Sequence, residues 1–366
     1  MSTSQYNLTT KTDYLSRKMF LDPAGPVTVQ RFEEVKYPKL QKYEETARGF
    51  FWVPEEISLT KDKIDHKESS DAIKHIFTSN LLRQTALDSI QGRAPSQVFG
   101  PVCSIPELEA LTLTWGFFET SIHSKSYSHI IRNVYGVPKE EFNKIHDTTE
   151  IVGMAANIGR HYEALHQLNC KKELGIEVDL HEHKKAIWMA LHASYALEAL
   201  RFMVSFATSL AMVENKIYIG NGNIISLILQ DELLHTEWTA WLINNVVKDD
   251  PRFIVAKQEC EREVYELYMD VIREEKEWAD YLFSKGVVIG LNADIPKDFV
   301  DYTAFTRLKD IGIKYNENHP KHSPIPWFNK HVNINKKQSA LQETESTNYV
   351  IGVMSDEVDY EELPVL

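Results

Sequence analysis

Cysteine is scarce in this 366-residue chain, and its three copies, Cys103, Cys170 and Cys260, lie far apart. No CxxC pair and no even-numbered framework is present. That excludes a disulfide-stapled scaffold and thiol chemistry needing a close pair within one motif, and it fits a reducing compartment. Positive charge is also in deficit: 40 Lys and Arg against 53 Asp and Glu give a formal charge of −13 and a pI of about 5.6. A nucleic-acid surface is thereby disfavoured, leaving a basic partner or plain solubility as the reason for the acidity. The opening "MSTSQYNLTTKTDYLSRKMF" lacks an apolar run and does not read as a signal peptide. Strand-like alternation is rare, and no repeat of solenoid length is visible.

Hydrophobic residues are plentiful, at 43%, enough for one large core or two smaller ones. Apolar residues recur at helical spacing over most of the chain. The pattern predicts helices near 28–46, 55–61, 69–92, 106–134, 147–172, 184–214, 222–248, 252–285 and 296–312, with a short strand pair at "KKELGIEVDLH". The stretch from Ala186 to Val213 is long enough to span a bilayer, but it carries Glu198 and Arg201 at its middle. Each would cost about 2.5–3.5 kcal/mol there, so a helix buried in a bundle is expected instead. From about residue 330 the chain turns polar and loses its period, ending in "DEVDYEELPVL". That tail reads either as a frayed terminus or as a peptide that folds into a partner's groove.

Four of the expected helices carry acids on apolar faces. Asp88 shares a stripe with Phe77 and Leu81. Glu119, His123 and Tyr127 follow one another four residues apart beside Trp115, Phe118 and Ile122. Glu198 lies in the nearly chargeless helix, where it must pair, with Arg201 for example, or bind a cation. Glu232 and His235, in "DELLH", share a face with Ile228, Thr239 and Leu242. Any one of these alone is ordinary. Together, two Glu–His pairs and two single carboxylates on four helices match the ligand pattern of ferritin-like dimetal carboxylate bundles. Each metal would take one histidine and one terminal carboxylate, and the remaining glutamates would bridge. Such oxygen-rich sites suit iron or manganese.

The chain resembles the small, radical-generating (beta) subunit of class I ribonucleoside-diphosphate reductase. The likeness runs through "FFWVPEE", "LDSIQGRAPS", "IHSKSYSHIIRN", "ALEALRFMVSF", "DELLH", "EKEWADYLF", "IGLN", "PIPW" and the tail "NYVIGVMSDEVD". It implies an all-α, ferritin-like bundle over residues 1–329, with 330–366 as a flexible tail that docks on the large subunit. By the same resemblance Asp88, Glu119, His123, Glu198, Glu232 and His235 are ligands to two metal ions per chain. These would be iron, with manganese or a mixed Mn/Fe pair as alternatives. Tyr127 matches the tyrosine oxidised to a stable radical, and Phe202, Phe206 and Ile228 match its apolar shield. Trp52 and Asp231 match an electron relay, while Tyr349 and Glu343 match the tail residues that hand the radical on. The resemblance further implies a cytoplasmic homodimer that is inactive on nucleotides without its large subunit, while the acidic balance and the mid-segment charges argue against a nucleic-acid or membrane partner. A dimetal oxidase or monooxygenase on the same bundle, or a non-catalytic metal-storage bundle, are the competing readings.

Two positions depart from the family pattern. Where relatives read Glu-x-x-His, this chain has "ETSIH", with one residue more. Alignment from Trp115 makes Glu119 the ligand, whereas alignment back from Tyr127 puts Thr120 there. Thr120 would leave the metals one negative charge short, so the reading adopted is Glu119, with the extra residue taken up in a local π-turn. Gln230 stands where relatives often carry arginine, next to the relay aspartate.

Overall fold

The computed structural model describes residues 6, 8, 13–315 and 318–332. Its regular elements are helical, and among the described residues the only β pairing is two isolated bridges, Phe20 with Cys103 and Val288 with Leu291. The strand pair expected at "KKELGIEVDLH" is absent. That segment is the end of one helix, a loop turning at Gly175 (φ 74°), and the start of the next at Leu180.

Fourteen α-helices are described, in chain order. The first three are α1 (Pro38–Gly49), α2 (Thr60–Glu68) and α3 (Asp71–Gln91). Then α4 (Pro106–Phe117) runs through a π-turn, Phe118–His123, into α5 (Ser124–Val134). They are followed by α6 (Pro138–Asp147) and α7 (Thr149–Glu173). Next, α8 (Leu180–Ala196) runs through a second π-turn, Leu197–Arg201, into α9 (Met203–Glu214). The set closes with α10 (Ile219–Asp249), α11 (Phe253–Glu259), α12 (Glu261–Leu282), α13 (Asp294–Asp310) and α14 (Asn329–Val332).

Helix boundaries moved where local chemistry overrode the apolar period. The first helix starts at Pro38, not near 28, since proline disfavours helix in the residue before it and suits a first turn. The segment expected as a helix at 55–61 is a 3-10 turn at Pro54–Glu56, and α2 begins only at Thr60. The expected helix at 252–285 is two helices meeting at Cys260. The short α6 was not anticipated; its sequence is mostly polar and none of its residues is buried.

The core is one continuous apolar cluster. Trp115, Trp238, Trp278 and Tyr127 are among its largest wholly buried side chains. The helical run Leu180–Glu214 has a peak mean hydropathy of 1.4, and 94% of that window is buried inside the protein. A helix of membrane-spanning length therefore serves as the bundle's central core helix, as its two mid-segment charges required. The long α10 is capped from outside. The Asp62 carboxylate accepts the Gly220 and Asn221 N–H groups at 3.0 and 2.6 Å, filling two donors that a helix start leaves open. A Cβ on Gly220 would lie 2.5 Å from the Ser58 carbonyl oxygen, so glycine is required for α2 to approach so closely. Ahead of α1, Asp249 at the end of α10 pins the N-terminal arm through the Met19 N–H, Lys36 Nζ and the Tyr37 hydroxyl.

Candidate metal centre

Helix α3, the α4–α5 run, the α8–α9 run and α10 each turn an acid into the same spot. Asp88, Glu119, His123, Glu198, Glu232 and His235 are all 0–1% exposed. They fall into two groups whose ligand atoms lie within 4.8 Å of one another: Asp88, Glu119, His123 and Glu232, and Glu119, Glu198, Glu232 and His235. Glu119 and Glu232 belong to both. Their orientation explains why. Glu232 sets Oε1 3.1 Å from His123 Nδ1 and Oε2 2.9 Å from His235 Nδ1. Glu119 does the same, with Oε2 3.2 Å from His123 Nδ1 and Oε1 2.9 Å from His235 Nδ1. Each of these carboxylates thus spans both imidazoles, while Asp88 and Glu198 sit at the outer ends.

The extra residue of "ETSIH" is absorbed in the π-turn Phe118–His123, closed by the Ser124 N–H on the Glu119 carbonyl, five residues back. The wider turn keeps Glu119 and His123 on one inner face although four residues separate them. Thr120 points elsewhere: its hydroxyl donates to the Gly92 carbonyl at 3.2 Å. Gly92 makes that approach possible, since a Cβ there would lie 2.5 Å from Thr120 Oγ1. The second π-turn, Leu197–Arg201, separates Glu198, which faces the cluster, from Arg201, which bonds Glu274 on α12.

Polar groups of Trp115, Gln91, Tyr162 and Ser194 complete the shell, a role that sequence reasoning assigned to none of them. Trp115 Nε1 donates to Glu119 Oε1 and Glu198 Oε1, both at 3.0 Å. Gln91 Nε2 donates to Glu198 Oε1 at 2.7 Å. Its amide oxygen accepts from Tyr162, whose hydroxyl also meets Ser194 Oγ at 2.8 Å. The available signal was spacing: Gln91 lies one turn beyond Asp88, and Trp115 one turn before Glu119.

The electrostatics of the cluster are one-sided. Asp88, Glu119, Glu198 and Glu232 carry four negative charges when ionised, and the two imidazoles are the basic groups that face them. Burial and neighbouring carboxylates push Asp88 and Glu198 well above the usual carboxylate range. Burial works against ionisation of Glu119 and Glu232 as well, but contacts with His235 and His123, together with Glu198 in the case of Glu232, hold both below it. Burial also opposes charge on the imidazoles, yet hydrogen bonds to Asp231, Glu119 and Glu232 hold His123 far above its ordinary value, and the surrounding glutamates do so for His235. Both oxygens of Asp88 and Oε2 of Glu198 have no protein hydrogen-bond partner. Four acids, two imidazoles turned inward through Nδ1 and several unpartnered oxygens fit two divalent cations, whose four positive charges would neutralise the cluster.

Tyr127 is wholly buried near Asp88, and its hydroxyl has no partner of hydrogen-bonding geometry. Burial, then the Asp88 charge, holds the phenol well above its ordinary pKa. Phe202, Phe206 and Ile228 are 0% exposed in the same apolar core, with the two phenylalanine rings stacked at 5.4 Å. On the other side, Trp52 Nε1 donates to Asp231 Oδ2 at 2.9 Å, and the same oxygen lies 3.1 Å from His123 Nε2. Indole, carboxylate and imidazole therefore form one hydrogen-bonded chain from near the surface to the cluster. Gln230 is 5% exposed and its Nε2 has no protein partner. Glu343 and Tyr349 lie outside the described residues.

A helical bundle that buries two overlapping carboxylate–histidine groups on four helices defines a ferritin-like dimetal carboxylate protein. The family model "Ribonucleotide reductase, small chain" matches residues 30–322. The chain belongs to that family. It is 40% identical to the ribonucleoside-diphosphate reductase 1 subunit beta of Salmonella typhimurium, across 97% of this chain and 96% of the relative. With the subunit beta of Enterobacteria phage T4 it shares 34% identity over 96% of each. Among solved structures, the ribonucleotide reductase R2 subunit from Clostridium botulinum superposes with a TM-score of 0.76 at 20% identity, covering 86% of this chain and 94% of that one. The dimanganese(II)-NrdF of Streptococcus sanguinis gives 0.67 at 20% identity, covering 83% and 99%. These two structures speak for the fold.

Proposed function

We propose that this chain is the small, radical-generating subunit of a class I ribonucleoside-diphosphate reductase and holds its radical on Tyr127. The observation that carries this reading is the Trp52–Asp231–His123 chain, joined to a two-ion carboxylate cluster beside a buried tyrosine. A dimetal oxidase acting on its own substrate, or a storage bundle, has no use for a conductor from the cluster to a near-surface indole.

In this reading Asp88 and His123 would hold one ion and Glu198 and His235 the other, with Glu119 and Glu232 available to both. Iron is the proposed metal; manganese or a mixed pair would use the same ligands. Loaded and supplied with oxygen, such a centre provides an oxidant strong enough to take an electron from a phenol. The protein's residues do the rest. Asp231 accepts from Trp52 and from His123 Nε2, which fixes the imidazole with Nδ1 toward the ligands. Trp115 and Gln91 hold Glu198 by donating to one of its oxygens. Phe202, Phe206 and Ile228 keep water and reductants from Tyr127. Residues 1–329 form the bundle body, and 330–366 dock on the large subunit, with Tyr349 and Glu343 passing the radical across. The chain works as a cytoplasmic homodimer, with substrate and reducing cysteines on the large subunit.

The test is electron paramagnetic resonance after anaerobic Fe(II) loading and exposure to oxygen. Wild type should give a tyrosyl signal that Tyr127→Phe abolishes; a signal that survives the substitution contradicts the assignment. Ribonucleotide reduction should require added large subunit, and turnover by this chain alone would overturn the two-subunit reading.

A further inference from the structure

A row of hydrogen-bonding atoms on α3 finds no partner in the protein. It comprises Oδ1 and Nδ2 of Asn80, Oε1 and Nε2 of Gln84, and both oxygens of Asp88. The three residues stand at i, i+4 and i+8 and are 0–1% exposed, so they line the inner face of one helix over about 12 Å. The oxygens of Asp88 are explained by the ions it would bind. Those of Asn80 and Gln84 are not. Each buried amide group left unpaired costs about 1–3 kcal/mol, and four such groups side by side would be a heavy penalty in a well-packed core. Water is the partner that satisfies such a row, since one buried molecule makes about three hydrogen bonds.

The far end of the row lies one residue along α3 from a solvent-open cleft. Ser79, next to Asn80 in the chain, lines an open cleft of about 410 Å³ with His66 and His75. One turn earlier on α3, Phe77 stacks on Tyr218 at 4.1 Å, and the Tyr218 hydroxyl lies 3.0 Å from His66 Nδ1. Asn221, three residues past Tyr218, adds another buried oxygen without a partner.

We propose that Asn80 and Gln84 hold a file of buried water joining this cleft to the Asp88 side of the metal centre, and that the file carries the proton exchanged by Tyr127. The second half rests on the reading of Tyr127 given above. Converting a phenol to a neutral phenoxyl breaks the O–H bond and releases one electron and one proton. A loaded, oxygen-supplied centre would be the acceptor of the electron; the proton would pass to water beside Asp88 and then from water to water toward the cleft. Reduction of the radical takes one electron and one proton back. Neither amide needs to titrate, because each only orients the water it binds. A file one molecule wide also passes protons while larger reductants stay out.

The test uses the full-length chain with Gln84→Met, close in shape, and the double variant Asn80→Leu/Gln84→Leu. In the metal-free protein, long-lived buried waters counted by oxygen-17 relaxation dispersion should fall by roughly two in the double variant. The melting temperature should hold within a few degrees, since the variants remove both the amides and the waters they bind and leave no protein group unpaired. After iron and oxygen loading, the radical should form about tenfold more slowly at unchanged metal content. An unchanged water count overturns the file, and wild-type radical kinetics in both variants overturn its proton role. A wild-type chain that forms no tyrosyl radical defeats the Tyr127 reading and the proton role with it, whereas the water count judges the file by itself.

Discussion

Asp88 and Arg83 share helix α3, and Glu198 and Arg201 share one π-turn, yet the acids and the arginines have opposite surroundings. Arg83 pairs with Glu275, reaches Ser205 at 3.4 Å and lies 4.7 Å over the Trp278 ring. Arg201 bonds Glu274 and lies 4.0 Å from Glu275. Two arginines and two glutamates close that charge within the protein. A few residues along the same helices, four carboxylates face one another with only imidazoles to offset them. Burying a charge is tolerated when the fold provides its partner. Where the fold withholds that partner, as in this cluster, the donor set left behind suits cations.

Breaking the balanced cluster should cost the most stability. Glu275→Ala leaves Arg83 buried without its partner and should lower unfolding free energy by about 3–5 kcal/mol, read by urea denaturation of the metal-free chain. A loss below about 1 kcal/mol would mean that this pair does not hold α3 to α12. The same kind of substitution in the unbalanced cluster should behave oppositely. Glu119→Ala relieves crowding among acids but also removes a partner of His123 and His235, so the two effects should offset and leave metal-free stability within about 1 kcal/mol of wild type. Its Mn(II) count should nevertheless fall well below two per chain. Retention of both ions at unchanged affinity would remove Glu119 from the ligand set.

A smaller effect should divide the two halves of the centre. Gln91→Leu takes a donor from Glu198 but touches nothing at Asp88, so one of two ions should bind about 10–100-fold more weakly. Equal weakening of both would show that Gln91 acts through general packing. The smallest effect belongs to Thr120→Val, which loses a hydrogen bond to Gly92 worth about 0.5–1.5 kcal/mol. Its metal content should be unchanged, and loss of an ion would reopen the alternative alignment.

The bundle and the convergence of the buried acids were legible because both rest on helical spacing. Asp88, Glu119, Glu198 and Glu232 stood out as acids on apolar faces, and α10 even kept its expected Glu-x-x-His step. The "ETSIH" step could be read two ways, because sequence alone does not say where a helix widens; the π-turn Phe118–His123 supplies that geometry. Gly92 shows why such information is hidden: its role depends on Thr120, which is distant in sequence and 2.5 Å from where its Cβ would lie. Gln91 left only the faint signal of its one-turn step from Asp88, and Tyr162 left none, since a tyrosine on an amphipathic helix announces nothing until it meets Gln91 beside Glu198. Apolar period failed at 28–37 and at Cys260, where proline and a helix break outranked it.

The most direct test of the unbalanced cluster is a crystal structure of the full-length chain soaked with Mn(II), with anomalous scattering recorded at the manganese edge. Two peaks should appear, one between Asp88 and His123 and one between Glu198 and His235, with Glu119 and Glu232 touching both. A single peak, or an ion bound through Thr120 with Glu119 turned away, would contradict the account.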